Sequence, residues 1–145
     1  MRRCEDVAPE ELLRAIDEFN RGDWFECHET VEELWVGEKG ELRDFYQGVL
    51  QLAVALHHWR DGNFKGALTL LQSGGDCLSR VAPVCQGVDV ARLAADAGKL
   101  QQALSALGEE RMSELEQRLI LKLRLAAKSP PIEPPPFEKG GSGGI

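Results

Sequence analysis

Between Pro9 and Leu107 the apolar residues of this chain recur every three or four positions, and glycines or prolines break the pattern at short intervals. A period near 3.6 buries one face of a helix, whereas a half-buried strand needs strict alternation. No convincing alternation is present, so the pattern restricts the chain to an all-α fold. Short interruptions imply neighbouring antiparallel helices. The expected architecture is a compact irregular antiparallel bundle of about five to six helices.

The first helix is expected from Pro9 to Asn20. Pro9 suits a first helical position, Glu10 and Glu11 suit the positive end of the dipole, and Leu12, Leu13, Ile16 and Phe19 form its stripe. Gly22 ends it, and Asp23 is placed to cap a second helix over Trp24–Trp35. A third helix, Glu41–Arg60, presents Phe45, Val49, Leu52, Leu56 and Trp59, widened by Tyr46, Leu50 and Ala53, so it should be central. Asn63 caps a fourth helix whose stripe runs from Phe64 to Val81. Gly74-Gly75 interrupts it, as a kink or as a point of close helix approach. Pro83 to Gly87 reads as a linker. Val90, Leu93, Ala97, Leu100, Leu104 and Leu107 define a fifth helix that Gly108 stops. Met112, Leu115, Leu119 and Leu123 predict a sixth helix within 109–127. The proline run after Ser129 and the glycine-rich end predict a disordered tail. The organisation expected is therefore a lead over 1–8, a core helical domain over 9–82, an additional helical segment over 83–127 packed on the core, and the tail over 128–145.

The second helix carries two polar residues in an unusual place. At about 100° per residue, Trp24, Phe25, Val31 and Trp35 share a face, with His28 and Glu32 in its middle; Glu29 lies on the flank. A histidine and a carboxylate one turn apart are costly to bury unless paired or put to use. The third helix has one narrow polar stripe of Gln47 and Gln51, which the period extends to His58 rather than His57. The predicted ligand pocket comprises Trp24, His28, Glu29, Glu32, Trp35, Gln47, Gln51 and His58. A faint repeat supports it: Arg21-Gly22-Asp23-Trp24-Phe25 matches Asp61-Gly62-Asn63-Phe64-Lys65, which aligns His28 with Leu68, a core-like position, and Glu32 with Gln72.

A net charge of −7 and a pI near 5.0 argue against sequence-independent nucleic-acid binding and against adhesion to anionic membranes. No apolar run approaches the ~20 residues of a membrane span, and Met1-Arg2-Arg3-Cys4 lacks the apolar segment of a signal peptide, so a cytoplasmic protein is expected. Cys4, Cys27, Cys77 and Cys85 include no C-x-x-C pair and read as free thiols in a reducing compartment. No nucleophilic triad or phosphate-cradling glycine loop is legible.

Three functional readings follow. The first is a binding or structural module in which a His/Glu/Gln cluster lies in an apolar, Trp-lined pocket for a small molecule or peptide. The second is a metal-dependent hydrolase: His28 and Glu32 bind a divalent metal and Glu29 is the base, as in the His-Glu-x-x-His helix of metalloproteases, although Glu32 stands where the second histidine would be. The third is a helical adaptor for a protein partner, where a basic partner fits the net charge.

The motif Gly22-x-Trp24-Phe25-Glu26-x-His28-Glu29-x-x-Glu32-x-x-Trp35 is followed by Phe45-x-Gln47-Gly48-x-x-Gln51-x-Ala53, then His57-His58 and Gly62-Asn63-x-x-Gly66-Ala67. The combination resembles a family of small all-helical proteins known as domain of unknown function 309, over about residues 9 to 82. The resemblance implies a compact irregular helical bundle and implies no particular reaction.

Overall fold

The computed structural model describes residues 3–126. Five α-helices follow one another: α1 (Glu10–Arg21), α2 (Trp24–Trp35), α3 (Gly40–Arg60), α4 (Phe64–Leu78) and α5 (Val90–Leu107). α3 packs on both α2 and α4, α1 closes over α2, and α5 closes over α4. The central position of α3 follows from its composition, since Leu42, Phe45, Tyr46, Val49, Leu52, Ala53, Ala55 and Leu56 are all buried.

The expected stops and caps operate with two changes. Gly22 ends α1 in the left-handed region (φ 85°), its N–H reaching the carbonyls of Glu18 and Phe19. Asn63 Oδ1 accepts the Gly66 N–H at 2.9 Å and so caps α4. Pro9 is the residue before α1 rather than its first residue. Asp23 occupies the cap position of α2 without a side-chain cap bond, because its carboxylate is taken by Arg21 at 3.1 Å.

Gly74-Gly75 marks close approach. A Cβ on Gly48 would lie 2.6 Å from Leu78 Cδ2 and 3.2 Å from the Gly74 carbonyl oxygen. A Cβ on Gly74 would lie 2.9 Å from Leu52 Cδ2 and 3.1 Å from the Gly48 carbonyl oxygen. The two glycines let α3 and α4 meet backbone to backbone, whereas Gly75 faces open space.

Three expectations are corrected. The Pro83–Gly87 linker contains a hairpin, with β1 (Val84–Cys85) pairing antiparallel to β2 (Val88–Asp89). Gln86 and Gly87 both have positive φ (47° and 83°), as a two-residue hairpin turn requires. The continuous sixth helix does not form. Two 3-10 segments, Glu109–Glu114 and Gln117–Leu119, replace it, followed by extended chain that bridges Val88 to Leu125. Long-range bonds override the local helical signal: Asn20 Nδ2 donates to the Leu123 carbonyl at 2.9 Å, and Leu123 N–H donates to Asn20 Oδ1 at 2.8 Å. Trp59 Nε1 donates to the Met112 carbonyl at 2.8 Å. Leu121 and Leu123 are buried and Lys122 and Arg124 exposed, a period of two that the sequence itself displays.

The third correction concerns the cysteines. Cys4 and Cys85 form a disulfide across 81 residues, while Cys27 and Cys77 are buried free thiols. The hairpin turn reaches the N-terminal lead through the Gln86 N–H, which donates to the Cys4 carbonyl at 2.6 Å. Gln86 is itself only 1% exposed and its Oε1 accepts from Tyr46 Oη at 2.6 Å. A structural disulfide is rare in reducing compartments, so the cysteines do not support the cytoplasmic placement. Among the described residues no helix is long and apolar enough to cross a membrane. The proline-rich tail over 128–145 lies outside the described residues.

Candidate functional site

The buried face of α2 is Trp24, Cys27, Thr30, Val31 and Leu34. Its centre lies about 90° from the direction of His28, at ~100° per residue. α2 is wedged between α1 and α3, and that packing, not the aromatic side chains, decides the face. Thr30 is drawn inward because its Oγ1 donates to Glu18 Oε1 on α1 at 2.8 Å. Phe25, expected inside, is 49% exposed.

His28 therefore stands on the rim. Its side chain is 28% exposed and that of Glu32 is 52% exposed, with Nε2 3.8 Å from Glu32 Oε1. The repeat mates show the same thing, since Leu68 is half-buried and Gln72 exposed, so neither position is a core slot.

The predicted pocket residues separate. Trp24 belongs to the core: its Nε1 donates to the Phe19 carbonyl at 3.1 Å, it meets Trp59 edge-on at 6.4 Å, and the Arg60 guanidinium covers its ring. Gln51 faces α4, where its Oε1 accepts from Ser73 Oγ and lies 3.9 Å from Cys77 Sγ. Gln47 is half-buried on α3, one turn before it. His58 turns to the start of α4, with Nδ1 3.3 Å from Asn63 Nδ2. Glu29 is exposed.

What the structure brings to His28 is a seam between α2 and α3. The Phe25 ring lies between two imidazoles, 5.8 Å from His28 and 5.8 Å from His57. His57 Nε2 is 3.3 Å from Asp61 Oδ2. At the other end Arg43 stacks 4.2 Å over Trp35. Among the described residues His28 Nδ1, His57 Nδ1 and Trp35 Nε1 find no hydrogen-bond partner, although all three are buried. Unpaired buried polar atoms are costly and uncommon, and here all three belong to residues of one seam. Arg43 was missed from the sequence, His57 was set aside in favour of His58, and Phe25 was read as part of the inner face but not of the pocket. Reading the α3 face that meets α2 as 43, 46, 50, 53 and 57 picks out Arg43 and His57 together.

Among the described residues no group of three or more His, Cys, Asp or Glu is placed to hold a metal ion, and His28 with Glu32 acquires no third ligand. A catalytic zinc takes three. Nor is Cys27 a nucleophile. Burial first, and the Glu18 carboxylate second, push its thiol from an ordinary 9.0 up to about 12. The folded protein then holds a proton that the unfolded chain loses, so stability should fall as pH rises from about 9 to 12. A thiol-labelling assay near neutral pH should leave Cys27 unmodified in the native state and modify it fully in denaturant.

Residues 12–70 match the model of a family described as a domain of unknown function, DUF309. The uncharacterized protein YpuF of Bacillus subtilis is 46% identical over 50 residues, 34% of this chain and 29% of the relative. An uncharacterized protein of Aquifex aeolicus is 36% identical over 55 residues, 37% of this chain and 16% of the relative. The chain thus spans less than a third of the length of either relative. The segment over residues 12–70 that matches the DUF309 model carries all of α2 and α3, and with them the seam around His28.

Proposed function

We propose that this small helical domain is a protein-interaction module that takes a cationic, aromatic-bearing segment of a partner on the outer face of α2. The observation that carries this reading is the charge pattern of that helix. Trp24–Trp35 contains Glu26, Glu29, Glu32 and Glu33 and neither lysine nor arginine. Glu29 and Glu33 repel each other one turn apart, and Glu32 and Glu33 sit at the negative end of the helix dipole. Among the described residues no cation lies within 4.0 Å of Glu26, Glu29 or Glu33. The chain accepts this self-repulsion around an exposed phenylalanine. An aromatic anchor within a field of one sign suits an oppositely charged partner, the anchor holding and the field steering.

The test is fluorescence anisotropy with labelled Arg/Lys/Trp-containing peptides, against acidic control peptides, at low and physiological salt. Binding should weaken with salt and drop at least about tenfold in Phe25→Ala. Glu33→Lys should abolish binding while raising stability by roughly 0.5 kcal/mol, because it replaces a repulsive pair by an attractive one and suits the dipole. Equal binding of acidic and basic peptides, or full binding by Glu33→Lys, would sink the reading.

A further inference from the structure

The opposite charge pattern appears outside the family segment. A recess of about 160 Å³ lies where α5 meets the second 3-10 segment and the chain that follows it. From α5 it receives Arg92, Asp96 and Lys99, at positions one and two turns apart on one face. Arg118 and Arg124 supply further cations, and Leu119 and Ile120 form an apolar wall. Four cationic side chains thus surround the recess against one carboxylate, in a chain whose net charge is −7.

Two of the cations are satisfied locally. Arg92 Nε lies 3.1 Å from Asp96 Oδ2, and Arg118 Nη2 lies 2.9 Å from Glu116 Oε1. Among the described residues neither Lys99 nor Arg124 has a carboxylate within 4.0 Å. Converging like charges repel, and a recess concentrates their field. An oxyanion with two negative charges relieves that repulsion. It can accept from the planar Arg118 and Arg124 guanidinium groups in bidentate fashion and from the Lys99 ammonium as a point charge.

The structure assigns this recess as a phosphate-binding site for a small phosphomonoester, with Lys99 and Arg124 as the principal anion ligands and Leu119 and Ile120 against the ester carbons. The size suits a small ligand, and the apolar wall suits carbon beside the phosphate. The site is independent of the α2 face: it is built from residues 92–124, outside the matched segment 12–70.

The experiment is a heteronuclear NMR titration of the full chain at low ionic strength with inorganic phosphate and with glycerol 3-phosphate, chloride serving as the ionic-strength control. Saturable shifts are expected at Lys99, Leu119, Ile120 and Arg124. Lys99→Gln and Arg124→Gln should each weaken binding by about tenfold or more, the loss of one charge-assisted contact. Both side chains are exposed, so thermal midpoints should stay at the wild-type value, and the exposed Lys65→Gln should bind normally. Tighter binding of the ester would place carbon on the apolar wall, and equal binding would assign the site to free phosphate. Shifts that chloride reproduces, or affinity unchanged in the Lys99→Gln/Arg124→Gln double variant, would overturn the proposal. So would a single-stranded oligonucleotide that saturates the same residues when phosphate does not, because the site would then serve a nucleic acid.

Discussion

Reduction of the Cys4–Cys85 bond should lower folding stability by about 2–4 kcal/mol, among the largest effects available to a single covalent change in this chain. The bond closes 81 residues of sequence, so breaking it returns considerable freedom to the unfolded chain. It also releases the lead from the hairpin turn, where the Cys4 carbonyl and Tyr46 Oη satisfy the buried Gln86. Urea unfolding with and without reductant would measure the loss. Cys85→Ala should be as unstable as the reduced wild type and indifferent to reductant. Equal midpoints for oxidised and reduced wild type would show that the bond contributes nothing. Cys27 and Cys77 complicate nothing, since both are buried and both thiols titrate above their ordinary range.

Gly48→Ala should cost roughly 1–3 kcal/mol, the range for forcing extra volume into a packed interior. Alanine ordinarily stabilises a helix interior by up to about 1 kcal/mol over glycine, so the helix itself favours the change. Packing opposes it more strongly. The new methyl would sit 2.6 Å from Leu78 Cδ2, and Leu78 is 1% exposed and cannot swing away; behind it the Gly74 carbonyl oxygen, at 3.2 Å, is backbone. α3 and α4 would have to move apart along their whole contact. Gly75→Ala is the control. Its Cβ meets nothing within 4 Å, so helix propensity acts alone and the variant should gain about 0.5–1 kcal/mol. Thermal unfolding of both variants would read the difference as shifts of opposite sign. A stabilised Gly48→Ala would mean that the two helices do not meet backbone to backbone.

The glycine pair shows how far the sequence can be read. Gly74-Gly75 was legible as a break in a helical pattern, with a kink and a close approach both open. Only Gly48, 26 positions earlier on another helix, decides between them. The candidate site has the same character. His28 and Glu32 were visible as polar residues one turn apart, but a histidine 90° from the centre of a buried face is at the rim, and the centre depends on which neighbours the helix touches. α2 is held by α1 through Thr30 and Glu18 as well as by α3. That double contact moved Cys27 and Leu34 to the middle and left Phe25 outside. His57 replaced His58 beside Phe25 because α3 turns that side toward α2.

The sequence by itself determined the five α-helices, their order and several of their ends. Those features are local: a 3.6-residue apolar period, Gly22 in the left-handed region, Asn63 bonding three residues ahead, and Gly108 after the last leucine of α5. Tertiary structure alone decided the face that α2 buries, the pairing of Cys4 with Cys85, and the extended course of residues 120–126. Each of these depends on groups far apart in the chain. Met112, Leu115 and Leu119 carried a helical spacing, yet Asn20 bonds Leu123 as a strand would and Trp59 holds the Met112 carbonyl, so distant partners outweighed a weak local preference.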